Sequence, residues 1–179
     1  LSDYGSGTVT ARARSMVIEE TRRLGIPSIV DSRYDILAYE GIGYVKQNDA
    51  ELAAALGREF HAEEALYAAG HELRARLSAD GVLITRGADG MTLFLADGSA
   101  THIPVSDHSE IFDVSGAGDT CVAVMILGLA AGVDARTAAR LSNIASGIAV
   151  RKRGTATVAQ EELRAAVLAA GGDGYADSK

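Results

Sequence analysis

Disulfides, rigid turns and indole rings are all but absent from this 179-residue chain, which has one cysteine, two prolines and no tryptophan. A lone thiol, Cys121, cannot form a disulfide within the chain, which fits a reducing compartment and predicts a cytoplasmic location. No stretch reaches the roughly 18 uninterrupted apolar residues of a membrane-spanning helix, so no membrane partner is expected. The opening residues, LSDYGSG, lack the basic-then-apolar layout of a secretory signal. Leu1 is not methionine, so the chain reads as processed, taken from inside a longer frame, or truncated. Positive charge is scarce as well. The net charge is −7, and the single basic cluster, Arg151, Lys152 and Arg153, reads as a solvated helix end. Nucleic acid is therefore not expected as the main partner.

Several catalytic signatures are missing too. No GxxxxGK[ST] string occurs, which removes the P-loop, and no GxGxxG follows a strand, which removes a dinucleotide fingerprint. There is no GxSxG elbow. His61, His71, His102 and His108 show no metal-ligand spacing with Cys121 or one another, and are expected at the surface. Cys121 sits in an apolar helical stretch and is expected in the core.

What remains is a chain with 47% hydrophobic residues and 20 glycines, enough for one well-buried domain with many tight turns. Residues 10–24 predict a helix with Ala13, Met16, Val17 and Leu24 near one face, ended by Gly25. IPSIVDS and IGYVKQN predict two short strands, with one helical turn and a loop in RYDILAYEG between them. Asp49 is placed to cap a short helix that stops at Gly57. A longer amphipathic helix covers 62–78, its stripe made of Leu66, Ala69, Leu73 and Leu77. GVLITRG predicts a strand buried on both faces, and MTLFLADGSATHIPV a hairpin turning at Asp97-Gly98. Helices are expected near 116–131, 134–151 and 159–170, and the tail 171–179 is expected to fray. Helices alternating with short apolar strands define an α/β fold, a mostly parallel sheet flanked by helices.

Ligands of open parallel sheets bind beyond the carboxyl ends of the strands. Polar and glycine residues collect there three times: Asp31, Ser32 and Arg33; Asn48 and Glu51; Arg86, Gly87 and Gly90. Taken singly these are ordinary loop residues. Together they suggest one edge of the sheet built for a ligand. The stretch Ser115-Gly116-Ala117-Gly118 has almost no side-chain bulk, and a helix begins within it. Backbone N–H groups and the helix dipole then favour a phosphate or oxyanion. Asp119, in the first turn, is placed to act as a base toward a hydroxyl while the amides hold phosphoryl charge. A helix-capping aspartate beside a glycine turn is the simpler alternative, worth about 0.3–1 kcal/mol. Asp113 and Thr120, which flank the loop, weigh against it.

The string DVSGAGDT resembles the DTxGAGD signature of the ribokinase-like (PfkB) sugar kinases. Other segments agree in order: LSDYGSG with SDYGKG, VDSR with a DPK or DSR turn, NDAE with NxxE, LITRGADGM with VTRGxxGM, and RKRGTATVAQEEL with GTATVSxxEL. The last two resemble the heptose-7-phosphate kinase branch found in bifunctional ADP-heptose synthases. The match spans nearly all of residues 1–170, which would form the C-terminal nucleotide-binding and catalytic part of a ribokinase-like domain. The resemblance implies Asp119 as catalytic base and the amides of Gly116, Ala117 and Gly118 as anion hole. It implies ATP with Mg²⁺, organised by Asn48 and Glu51, and a nucleotide-side loop of Thr85, Arg86, Gly87 and Gly90. Asn143 would lie near the adenine pocket, Asp3 and Asp31 near the substrate, and Asp113 with Ser115 near a monovalent cation such as K⁺.

The departures are Ser6 where relatives carry lysine, Lys46-Gln47 in place of Thr-Pro, and the absence of the family's N-terminal half with most sugar-binding residues. They motivate an alternative of another class, a kinase-like binding or partner module without catalysis. A sheet cut at one edge would also expose strand backbone, so self-association or pairing with the missing half is expected.

Overall fold

Alternate side chains of a strand point to opposite faces of its sheet, and β4 (Gly81–Thr85) is apolar on both. Val82 and Ile84 enter one core and Leu83 the other, and none of the three is more than 1% exposed. This central strand sets a three-layer molecule. The computed structural model describes residues 1–105 and 112–171; His108 and the tail beyond 171 lie outside them.

The sheet has six strands in the order β1-β2-β3-β4-β5-β6: β1 (Ser2–Asp3), β2 (Ile29–Ser32), β3 (Tyr44–Asn48), β4, β5 (Met91–Leu95) and β6 (Ala100–Ile103). The first three pairings are parallel. The expected 91–105 hairpin is present, and β5 also runs antiparallel to β4. Asp31 and Ser32 end β2, within the predicted strand IPSIVDS, where they pair with β1, and Arg33 follows beyond it.

One face of the sheet carries α1 (Ala11–Leu24), α2 (Asp49–Leu56) and α3 (Glu63–Leu77), with a 3-10 turn at Ile36–Tyr39. Leu66, Ala69, Leu73 and Leu77 are buried as their spacing predicts. Gly70 of the same helix has no room for a side chain, because a Cβ there would stand 2.3 Å from the Phe94 ring. The α1 stripe differs from expectation. Met16 and Leu24 are 55% and 54% exposed, and Ala13, Val17, Ile18 and Thr21 face inward, half-buried. Arg14 lies over the Tyr39 ring, so part of the inner face is cationic and the apolar stripe is displaced.

The cap of α2 is also corrected. Asn48, not Asp49, is the N-cap: its side chain accepts from the Glu51 amide at 2.7 Å, and Glu51 accepts from the Asn48 amide at 2.8 Å. The strand thus runs directly into the helix.

The other face carries α4 (Ala117–Ala130) and α5 (Ala135–Ala149), with α6 (Gln160–Gly171) against α5. Cys121 and Met125 of α4 are buried with Ile29, Leu83 and Met91 of the sheet. Gly128 lets the two helices meet closely, since a Cβ there would lie 3.1 Å from Ala138 Cβ. His71, expected at the surface, is half-buried, its ring edge-on to Phe94 at 5.0 Å. Among the described residues no helix is long and apolar enough to cross a membrane.

Candidate active site

The glycine loop begins with a brace. Asp113 accepts from the Ser115 amide at 2.9 Å and from the Gly154 amide at 3.1 Å. The Ser115 amide, the larger influence, and that of Gly154 hold its carboxyl below the usual range. Gly116 then takes a left-handed conformation, φ 78°, that other residues rarely adopt, and caps α4. The Ala117 amide donates to the Val114 carbonyl at 3.2 Å, so it closes the turn and is not free for an anion. Among the described residues the Gly118 and Asp119 amides meet no acceptor. The Gly116 amide likewise meets none among the described residues. Of the expected Gly116, Ala117 and Gly118 set only the Ala117 amide is therefore taken up, and the Asp119 amide joins the free N–H groups at the positive end of the helix.

Asp119 is exposed at this helix start. Its carboxylate accepts from the Tyr4 hydroxyl at 3.1 and 3.2 Å and from Ser2 Oγ at 3.3 Å. Both donors come from β1 and the loop that follows it. Behind them Asp3 is buried, bonded by the Tyr39 hydroxyl at 2.6 Å, the Gly5 amide at 3.0 Å and Ser32 Oγ at 3.5 Å. The Tyr39 bond is the main reason the Asp3 carboxyl lies below its ordinary value. Burial, reinforced by Asp3, pushes the Tyr39 phenol up to about 12. Asp3 thus lines the site with both oxygens already engaged. Ser6, at the position of the family lysine, bonds among the described residues to Thr8 alone and lines neither cleft described next.

Two clefts meet at α4. The smaller, about 150 Å³, is lined by Tyr4, Asp31, Glu51, Gly116 and Asp119, among others. The larger, about 550 Å³, is lined by Asn48, Thr85, Gly87, Gly90, Ala117 and Asn143, with Val105, Val114 and Val150 supplying apolar wall. Lys46 and Gly118 line both. Asp31 and Lys46 are cross-strand neighbours in β2 and β3, and their side chains pair at 2.8 Å. Burial pulls the Lys46 amine down, but Asp31, followed by Glu51 and Cys121, outweighs it and leaves the net shift upward. Gly118 permits the contact: a Cβ there would lie 3.0 Å from Lys46 Nζ. Asn143 is buried and donates to the Pro104 carbonyl at 2.6 Å, closing the far end of the larger cleft. Burial pushes the Cys121 thiol up, consistent with a core role.

Arg86 is the exception among the nucleotide-side residues. It pairs with Glu63 at 3.4 Å and lines a separate hollow with Asp89 and Glu59, so its side chain does not reach the larger cleft. Sequence reasoning missed Lys46, Ser2, Tyr4 and Tyr39. Ser2 and Tyr4 lie in the LSDYGSG segment that resembles SDYGKG, but with no role attached to them. Lys46 shows as a charge inside the apolar strand IGYVKQN, where it stands in place of the family's threonine.

A sheet of this order, with a glycine loop and carboxylate at the start of α4, places the chain in the class of ribokinase-like kinases. Residues 16–162 match the family described as pfkB family carbohydrate kinase, and the chain belongs to that family. The bifunctional protein HldE of Citrifermentans bemidjiense is 43% identical over 179 residues, covering 99% of this chain and 36% of that protein. HldE of Geotalea uraniireducens is 42% identical over 168 residues, covering 93% and 34%. The chain thus spans about a third of the length of these curated relatives. Phosphofructokinase-2 from Escherichia coli, solved in complex with potassium, superimposes with a TM-score of 0.79 at 23% identity, over 91% of this chain and 53% of that one. Ribokinase from Arabidopsis thaliana, complexed with ribose and ATP, gives 0.78 at 19%, over 88% and 52%. At such identities these structures establish the fold alone.

Proposed function

We propose that residues 1–170 form the nucleotide-binding and catalytic part of an ATP-dependent sugar kinase. The acceptor is a hydroxyl of a sugar or sugar phosphate, heptose 7-phosphate being the form that the heptose-branch segments favour. One observation carries this reading. Asp119 opens onto a small cleft separated from a nucleotide-sized one only by Gly118 and Lys46.

ATP in the larger cleft would set its base against Val105, Val114 and Val150 and its phosphates toward Asn48, Thr85 and the Gly118 amide. The acceptor in the smaller cleft gives its hydroxyl proton to Asp119 as its oxygen bonds to the γ-phosphorus and ADP departs. The Gly118 and Asp119 amides, the helix dipole and the Lys46 ammonium all lie where charge gathers on the transferring group. Lys46, held by Asp31, is thus a fixed charge and not a mobile one.

Magnesium would neutralise phosphate charge. Among the described residues no three or more His, Cys, Asp or Glu side chains group to hold a metal. One carboxylate oxygen of Glu51 caps α2, leaving the other toward the smaller cleft. That donor set fits an ion arriving with the nucleotide and held by one or two carboxylates. At Asp113 and Ser115, the expected potassium position, each carboxylate oxygen already takes a backbone amide, and we derive no step through K⁺.

The test is a calorimetric titration with ATP and ADP, with and without Mg²⁺, beside a steady-state assay with sugar phosphates. Asp119→Asn is expected to bind ATP normally and to lose about 10²–10⁴-fold in turnover. Unchanged turnover would remove Asp119 as base. Saturable ATP binding without turnover onto any sugar would leave a binding module.

A further inference from the structure

The hydroxyl held against Asp119 in the smaller cleft belongs to the chain itself. Tyr4 places its phenolic oxygen 3.1 Å from Oδ2 and 3.2 Å from Oδ1 of Asp119, within the range expected between a general base and its nucleophile. Ser2 Oγ makes one contact, at 3.3 Å. Tyr4 is 59% exposed, so its position owes little to burial. Its place is fixed from the backbone, where the neighbouring Asp3 is bound to Tyr39, Ser32 and the Gly5 amide. Tyr4 also shares the cleft with Gly116, Gly118 and Lys46, the groups expected to receive a transferring phosphoryl.

Chemistry favours the same residue. A phenol is intrinsically a stronger acid than an aliphatic alcohol, so its proton demands less of the base than that of a sugar hydroxyl. Ser2 has the weaker geometry and the poorer leaving proton.

We propose that, when no sugar occupies the smaller cleft, the chain transfers the γ-phosphoryl of ATP to its own Tyr4. The inference rests on the kinase reading above. Asp119 takes the phenolic proton, the phenolate oxygen bonds to the γ-phosphorus, and the bond from that phosphorus to the β,γ-bridging oxygen breaks. Its electron pair leaves with ADP, and ATP is the only co-reactant. The phosphotyrosine brings about −1.5 to −2 charges beside Asp119 and Asp31. Repulsion then drives the loop out of the cleft, turning at Gly5 and Gly7, whose φ angles are 71° and 83°. Each chain is modified once.

The purified chain is incubated with Mg²⁺ and γ-labelled ATP without sugar, and the label is located by peptide mass spectrometry. Label on Tyr4 is expected, appearing at a rate unchanged by diluting the protein. Tyr4→Phe and Asp119→Asn should fall to background, while Tyr34→Phe, at an exposed tyrosine that lines neither cleft, keeps the label. Tyr4 unlabelled here, with transfer onto a sugar phosphate in a parallel incubation that contains one, would overturn the inference and leave the kinase reading intact. Absence of both would overturn the two together. Label confined to Ser2 or to another residue would overturn the assignment to Tyr4.

Discussion

Lys46 shows how much one side chain can depend on its neighbours. It is 6% exposed, and an ammonium so placed is tolerable because Asp31 lies beside it at 2.8 Å. Lys46→Met removes the cation between the clefts and strands a carboxylate. Turnover should fall about 10²–10³-fold, as when one preorganised donor to a transition state is lost. Adding Asp31→Leu should restore stability, since an ion pair replaced on both sides by apolar groups is often neutral, but it should not restore turnover. Recovery of activity in the double variant would show that Lys46 serves the fold alone. Tyr39 offers a second test at this scale. Its phenol titrates near 10 when unfolded and at about 12 in the fold. A raised folded pKa means that the native state holds its proton longer, so the Tyr39 contribution is fully present below pH 10. It drains away as pH rises toward 12. Urea unfolding from pH 8 to 12 should show wild type above Tyr39→Phe, with the gap closing above pH 10. A constant gap would mean that neither burial nor the Asp3 bond raises the Tyr39 phenol in the fold.

Elements were the most legible level, and the misses have physical causes. Strand β4 and the stripe of α3 follow directly from periods of two and about 3.6 residues, because each buries an uninterrupted apolar face. The stripe of α1 was misread because Arg14 packs its guanidinium over Tyr39, a contact that no apolar count can register. The α2 cap was off by one residue because Asn48 and Asp49 are both good caps, and only the reciprocal bonds with Glu51 choose between them. The glycine loop and Asp119 stood out in the chain. Their hydroxyl donors did not, since Ser2 and Tyr4 reach Asp119 across more than a hundred residues. The cap has a measurable weight. Asn48→Ala should cost about 1 kcal/mol and loosen the entry to α2, where Asn48 also lines the larger cleft. The expected result is a lower urea midpoint together with weaker ATP binding. Asn48→Asp, which keeps the cap acceptor, should recover the midpoint. If it recovers binding equally, the residue acts on nucleotide only by shaping the helix start.

At the scale of the whole molecule the open question is what the β1 edge does in solution. Bare strand backbone was expected to drive self-association, but the edge strand is only Ser2–Asp3. A partner strand could gain one or two hydrogen bonds there, each worth about 0.5–1.5 kcal/mol net, against an association cost of at least about 4 kcal/mol. Short edges are themselves a protection against pairing. Backbone pairing at Ser2–Asp3 alone therefore contributes too little to hold a dimer. Apolar surface near the edge can contribute more: Tyr4 is 59% and Tyr34 73% exposed, and Tyr34 packs against Gly5 beside the same strand. The net charge of −7 opposes close approach of two copies, so any association should be weak and should strengthen with salt. Sedimentation velocity over a concentration series is expected to show a rising average mass, steeper in high salt and flattened by Tyr34→Ser. A single monomeric species at every concentration would mean that the aromatic pair is too small a patch to overcome the charge. Association that Tyr34→Ser leaves untouched would place the contact on another face.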